Sequence, residues 1–102
     1  WRRSEHELAH FAHDQLALLE RASAVVRPFG RLVYATCSSE PDENESVVDA
    51  FLSTHDSFQL VDLQRNASPW LVPVLDERGM MRTLPFVHEL EGFFAAALVR
   101  RL

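Results

Sequence analysis

Residues 32–36 read Leu-Val-Tyr-Ala-Thr. The run is short, β-prone and nearly all apolar, which predicts a buried parallel strand. Helical periodicity flanks it on both sides. Upstream, Leu8, Phe11, Ala12, Leu18, Leu19, Ala22 and Val25 recur at three- and four-residue spacing, the stripe of an amphipathic helix of about five to six turns. Ser4-Glu5-His6-Glu7 reads as its capping box. Pro28-Phe29-Gly30 ends it. Downstream, Ser38 or Ser39 can cap a second helix with Pro41 in its first turn. Acids in that turn suit the helix dipole, and Val47, Val48, Phe51 and Leu52 supply a buried stripe.

Residues 58–63 read as another strand, with Phe58, Leu60 and Asp62 on one face. From Gln64 to Glu91 the pattern fails, because Pro69, Pro73, Pro85 and Gly79 forbid a long regular element. A short strand fits residues 80–84. After Gly92, the run Phe93-Phe94-Ala95-Ala96-Ala97-Leu98-Val99 predicts a final strand, with helix as the alternative for its Ala-rich end. Helix, strand, helix, strand, long loop, strand is part of an α/β layered sheet. In such sheets, sites lie at the carboxyl ends of parallel strands. Cys37 sits at one of those ends.

The 102 residues suffice for one small domain. The chain opens on Trp1 rather than Met, which predicts a segment of a longer protein, a single partial domain over residues 1–102. No apolar run reaches about 18 residues, so no membrane span is expected. A basic, apolar leader is not evident either. One cysteine cannot form an internal disulfide, which predicts a reducing, cytoplasmic setting and makes Asn66-Ala67-Ser68 an accidental sequon. All ten basic residues are Arg, and the net charge is −5. That balance argues against a nucleic-acid-coating role, which needs a basic face. It leaves room for one nucleic-acid contact within a larger protein.

Cys37 has two readings. It can be a small buried hydrophobe. It can also be a nucleophile, because a thiolate between a strand end and a helix amino terminus is stabilised by free N–H groups. Glu40, Asp42, Glu43 and Glu45 oppose that stabilisation. A phosphatase loop needs Arg six positions after the cysteine, where Glu43 stands. A Cys-x-x-Cys redox pair is absent, and a Cys/His hydrolase stays open on five His. His6, His10 and His13 fall on one helix face at about 100° per residue, opposite the apolar stripe. They read as a solvated face, and no metal ligand set is expected. Gln15, on the apolar stripe, calls for a hydrogen-bonding neighbour. Trp70 and Phe86 can stack on a base or pin the long loop. Only three glycines occur and none forms G-x-G, so a cofactor cradle is not expected in this chain.

Tyr34-Ala35-Thr36-Cys37-Ser38, followed by Pro41-Asp42-Glu43-Asn44-Glu45 and Val47-Val48, resembles the cysteine motif of the NOL/NOP/Sun family of RNA cytosine-5 methyltransferases. The bacterial Sun (Fmu-like) ribosomal RNA enzymes look closest. The tail His88-Glu89-Leu90-Glu91-Gly92-Phe93-Phe94-Ala95 is similar to that family's closing strand, with Glu91 where the family has Asp. Trp1-Arg2-Arg3-Ser4 and the Leu-rich helix with Gln15 fit the stretch before the cysteine strand. The resemblance implies the carboxyl-terminal part of a Rossmann-like methyltransferase domain, with its final strand antiparallel. It implies S-adenosylmethionine as methyl donor, held mostly by the remainder of the parent catalytic domain. RNA, ribosomal RNA in particular, is the implied partner. Cys37 is the implied nucleophile toward cytosine C6, giving 5-methylcytosine after methyl transfer. The target base must leave its stack to be reached. Thr36, Ser38, Asn44 and Glu45 are implied supports of the cysteine loop, with helix capping and a surface place as the alternative for Asn44 and Glu45, and Arg2, Arg3 and Glu91 implied RNA contacts. The isolated segment is expected to be inactive and not to bind the donor. The rival reading is a non-catalytic RNA- or protein-docking α/β module.

Overall fold

Among the described residues, two helices and four strands make up the architecture: α1 (Glu5–Ser23), β1 (Arg31–Thr36), α2 (Glu45–Thr54), β2 (Phe58–Leu60), β3 (Met81–Thr83) and β4 (Phe93–Arg100). They come from a computed structural model, which describes residues 5–37, 40, 43–65, 68–83 and 92–102. A 3-10 turn, Val72–Val74, lies before β3.

The alanine-rich tail is a strand. Its residues 94–98 are all buried, as expected for a central strand that both edges cover. β1 pairs with it along one edge, from Arg31 opposite Val99 to Thr36 opposite Phe94. β2 and β3 lie end to end along the other edge, β2 against residues 98–100 and β3 against residues 93–95. Every pairing is antiparallel. The final strand is thus antiparallel as anticipated. β1 is not seen as a parallel strand, because its partner among the described residues is β4, which returns from the far end of the chain.

Phe94, Ala96 and Leu98 point to one face, where they join Leu19 of α1, Val47, Val48 and Phe51 of α2, Tyr34, Phe58 and Met80 in one core. Phe51 and Phe94 are fully buried, and each such side chain contributes about 1.5–3 kcal/mol over its exposed state. Phe51 meets Phe58 edge-on, with centroids 5.3 Å apart, and stacks flat on His55 at 4.0 Å. His55 Nδ1 donates back to the Phe51 carbonyl at 2.9 Å. Its other ring nitrogen lies 4.0 Å from Glu20 on α1. These contacts hold the two helices on the same face of the sheet.

Four local expectations change. Val25 lies past the end of α1 and is exposed. The helix closes early in tight bonds, such as Ala24 N–H to the Arg21 carbonyl and Val26 N–H to that of Ser23. Leu18 is more exposed than buried, because it lies over the open side of β1 beside Val33. β2 stops at Leu60 instead of residue 63. Val61 still donates to Ala97, but the Asp62 carboxylate then accepts from the Gln64 N–H at 2.9 Å and turns the chain. Finally, α2 begins at Glu45, several residues beyond Ser38 and Ser39. Those serines, Pro41 and the Ser4 box lie outside the described residues. Within the described residues, no helix is long and apolar enough to cross a membrane.

The turn before β3 depends on Gly79. Its φ is +83°, and a Cβ there would sit 2.6 Å from both the Asp62 Cα and the Leu63 nitrogen. Backbone cannot swing aside as a side-chain tip can. Gly79→Ala in the full-length protein should therefore cost more than about 1 kcal/mol and lower the melting temperature by several degrees. An unchanged thermal midpoint would show that the turn tolerates a side chain.

Candidate active site

β1 delivers Cys37. The strand's last paired residue, Thr36, is held opposite Phe94, and the chain leaves the sheet at the next position. The Cys37 thiol is exposed and free. Within this segment the thiol does not pack as a small buried hydrophobe.

Two hydrogen bonds tie β1 to the start of α2. Tyr34 and Thr36 are two residues apart and so project to the same face of the strand. The Tyr34 hydroxyl donates to the backbone carbonyl of Glu43 at 2.5 Å. The Thr36 hydroxyl donates to Oδ1 of Asn44, also at 2.5 Å. Glu43 is fully buried and Asn44 nearly so. Glu43 N–H turns back to the Glu40 carbonyl at 3.0 Å. The chain segment carrying Cys37 is thereby pinned on both flanks.

Asn44 stands at the N-cap position of α2, yet its side chain makes no capping bond. Its oxygen goes to Thr36, the neighbour of Cys37. The simple capping reading of Asn44 is therefore not what the side chain does. Glu45 is engaged differently. It pairs with Arg82 of β3, whose guanidinium also lies 3.7 Å from Asp76 and 5.3 Å from the centre of the Phe94 ring. One turn on, Asp49 receives both terminal nitrogens of Arg78, at 2.8 and 3.3 Å. That bond raises the Arg78 pKa above its ordinary value.

The structure thus brings Thr36, Cys37, Asn44 and Glu45 to one end of the sheet. Ser38, Arg2, Arg3 and Glu91 lie outside the described residues. His10 faces Asp14 at 3.4 Å on the outer side of α1, and His13 is exposed, as a solvated face requires. Gln15 lines a shallow groove with Leu18, Leu32 and Val33. Trp70 is largely exposed and does not pin its loop; Phe86 is outside the described residues. Sequence reasoning missed Tyr34 and Arg82. Tyr34 is the sole tyrosine, and its place in the cysteine motif gives no signal of where its hydroxyl bonds. Arg82 carried no local signal, since its partner is 37 positions away.

A family model described as 16S rRNA methyltransferase RsmB/F matches residues 1–99. The chain belongs to that family. The resemblance to the NOL/NOP/Sun enzymes, drawn from the cysteine motif, is borne out. The ribosomal RNA small subunit methyltransferase B of Klebsiella pneumoniae subsp. pneumoniae is 35% identical over 101 residues, 99% of this chain and 21% of its own length. The probable ribosomal RNA small subunit methyltransferase B of Synechocystis is 33% identical, over 96% of this chain and 22% of its own. The chain spans about a fifth of the length of these curated relatives. A methyltransferase homolog from Pyrococcus horikoshii superposes with a TM-score of 0.78 at 34% identity, covering 96% of this chain and 33% of that one. NSun6 from Pyrococcus horikoshii, solved with SFG, gives a TM-score of 0.79 over 99% of this chain and 25% of its own. At 24% identity, NSun6 speaks to the fold alone. The fold class is the expected one: part of a Rossmann-like α/β methyltransferase sheet.

Burial, followed by the nearby Glu43 carboxylate, pushes the Tyr34 phenol up to about 12 from 10.0. Tyr34 therefore remains a donor at neutral pH. In the unfolded chain it ionises first, so its contribution to stability is complete below pH 10 and is lost as pH rises from there toward 12. Relative to Tyr34→Phe, the wild-type protein should lose about 2–3 kcal/mol of stability across that window. Denaturant unfolding of both proteins at pH 9.5 and pH 12 tests this. Parallel pH dependences would contradict a buried, protonated phenol.

Proposed function

We propose that this chain supplies the cysteine nucleophile of an S-adenosylmethionine-dependent ribosomal RNA cytosine-5 methyltransferase. The observation that carries the reading is the exposed Cys37 thiol at the carboxyl end of β1, flanked by the Thr36–Asn44 and Tyr34–Glu43 bonds. An exposed thiol on a pinned segment is what covalent attack on a base needs.

The role of Cys37 follows from the electronics of cytosine. C5 of the free ring is a poor nucleophile. Addition of the thiolate to C6 breaks the 5,6 double bond and makes the ring an enamine, rich in electrons at C5. The donor, when bound, supplies an electrophilic methyl group to that carbon. Loss of the C5 proton then expels the cysteine sulfur and restores the aromatic ring. Cys37 must therefore be reachable, ionisable and fixed in direction. Thr36 and Asn44 serve the last requirement.

The described residues do not fit a cradle for the donor. The Cβ position of Gly79 is filled by Asp62 and Leu63, and that of Gly30 lies 2.9 Å from the Arg27 carbonyl. Neither glycine opens onto space for a ribose or carboxylate. We assign the donor to the remainder of the catalytic domain, and the isolated segment to an inactive state. The RNA is met by the same larger unit, with Arg2, Arg3 and Glu91 as contacts to be tested.

Cys37→Ser in the full-length enzyme should abolish methylation of ribosomal RNA while leaving the melting temperature unchanged, because an alcohol ionises far less readily than a thiol. Wild-type turnover by that variant would exclude Cys37 as nucleophile. Asn44→Ala should lower single-turnover methylation by about 100-fold through misplacement of the Cys37 segment. A loss explained entirely by unfolding would return Asn44 to a structural part.

A further inference from the structure

The hydroxyl of Tyr34 does more than fill the core. An α-helix that included Glu43 and Asn44 would use the Glu43 carbonyl to accept the N–H of Val47. Here that carbonyl is held by Tyr34. The N–H groups of Val47 and Val48 both go to Asn44 instead, at 3.1 and 3.2 Å. Asn44 has φ −113° and ψ −102°, outside the helical region. α2 consequently starts at Glu45, and Asn44 is left in the conformation that carries its side chain to Thr36.

We infer that Tyr34 is a positioning residue for Cys37: by capturing the Glu43 carbonyl it stops α2 from winding back through Asn44, and so preserves the Thr36–Asn44 bond beside the nucleophile. The inference rests on the reading of Cys37 as the attacking group. The two bonds form one device. Without the hydroxyl, the Glu43 carbonyl, in a fully buried residue, loses its phenol donor. Loss of a buried hydrogen bond is costly, and the Val47 N–H is the donor that a helix continued through Asn44 would bring to that carbonyl. Reaching it requires helical dihedrals at Asn44. That change swings Oδ1 of Asn44 away from the Thr36 hydroxyl. Phe94 keeps the aromatic ring of residue 34 in place, edge-on at 6.3 Å, so deletion of the hydroxyl alone isolates the effect.

The test uses the full-length enzyme in four forms: wild type, Tyr34→Phe, Cys37→Ser and Phe58→Leu. Phe58 lies in the same core but on β2, across β4 from the cysteine strand. Steady-state methylation of ribosomal RNA is measured below every melting temperature. Tyr34→Phe should lower kcat by about 10- to 100-fold with KM for RNA within about 2-fold of wild type. Phe58→Leu should lose stability and keep its kcat. Wild-type kcat in Tyr34→Phe, with Cys37→Ser inactive, would overturn the role of Tyr34 and leave the nucleophile standing. So would an equal kcat loss in Phe58→Leu, which would reduce Tyr34 to packing. Activity in Cys37→Ser would remove the nucleophile itself, and the inference with it.

Discussion

Each strand described in this chain hydrogen-bonds to β4. That constraint organises the rest. Five consecutive buried residues, from Phe94 to Leu98, place β4 at the middle of the sheet. Its register with β1 puts Thr36 opposite Phe94, which fixes where the chain departs toward Cys37. The same Phe94 ring lies beneath Arg82 and against Tyr34. A residue near one end of the chain's last strand thus supports both sides of the candidate site.

Charge is arranged more locally than the composition suggests. A net charge of −5 with acids gathered after the cysteine reads as hostile to a polyanion. In the fold, Glu45 is paired with Arg82 and Asp49 with Arg78, while Glu43 is turned fully inward. The acids of α2 therefore meet arginines delivered by β3 and its preceding turn. The partly exposed pairs add little to stability. Their larger effect is on the field at the cysteine end of the sheet, where the uncompensated negative charge is smaller than a count of residues implies.

Much of the fold could be read in advance because its elements have clear periods. The α1 stripe, the short apolar β1, the Val47–Val48–Phe51 face and the tail strand each follow from hydrophobic spacing. The start of α2 could not be read that way. Ser38, Ser39 and Pro41 lie outside the described residues, and the bond from Tyr34 to the Glu43 carbonyl has no local sequence signal. β1 pairs antiparallel with β4 on one edge among the described residues; a short apolar run does not say which strand lies beside it. Cys37 was legible through its motif. Asn44 was legible as a candidate, but its partner was not, since a side-chain bond to Thr36 depends on the close return of the chain. Arg82 acquires its place from pairing with β4 and was invisible to local reasoning.

The central claim is that the thiol of Cys37 bonds to the target base. Ribosomal RNA containing 5-azacytosine has nitrogen at the ring position that must lose a proton, so methylated adducts persist. The full-length enzyme is incubated with this RNA and the methyl donor, denatured, digested and mapped by mass spectrometry. The account predicts a nucleotide adduct on the peptide containing Cys37, absent from Cys37→Ser. An adduct on a different residue, or no adduct from an enzyme that methylates ordinary RNA at full rate, would contradict it.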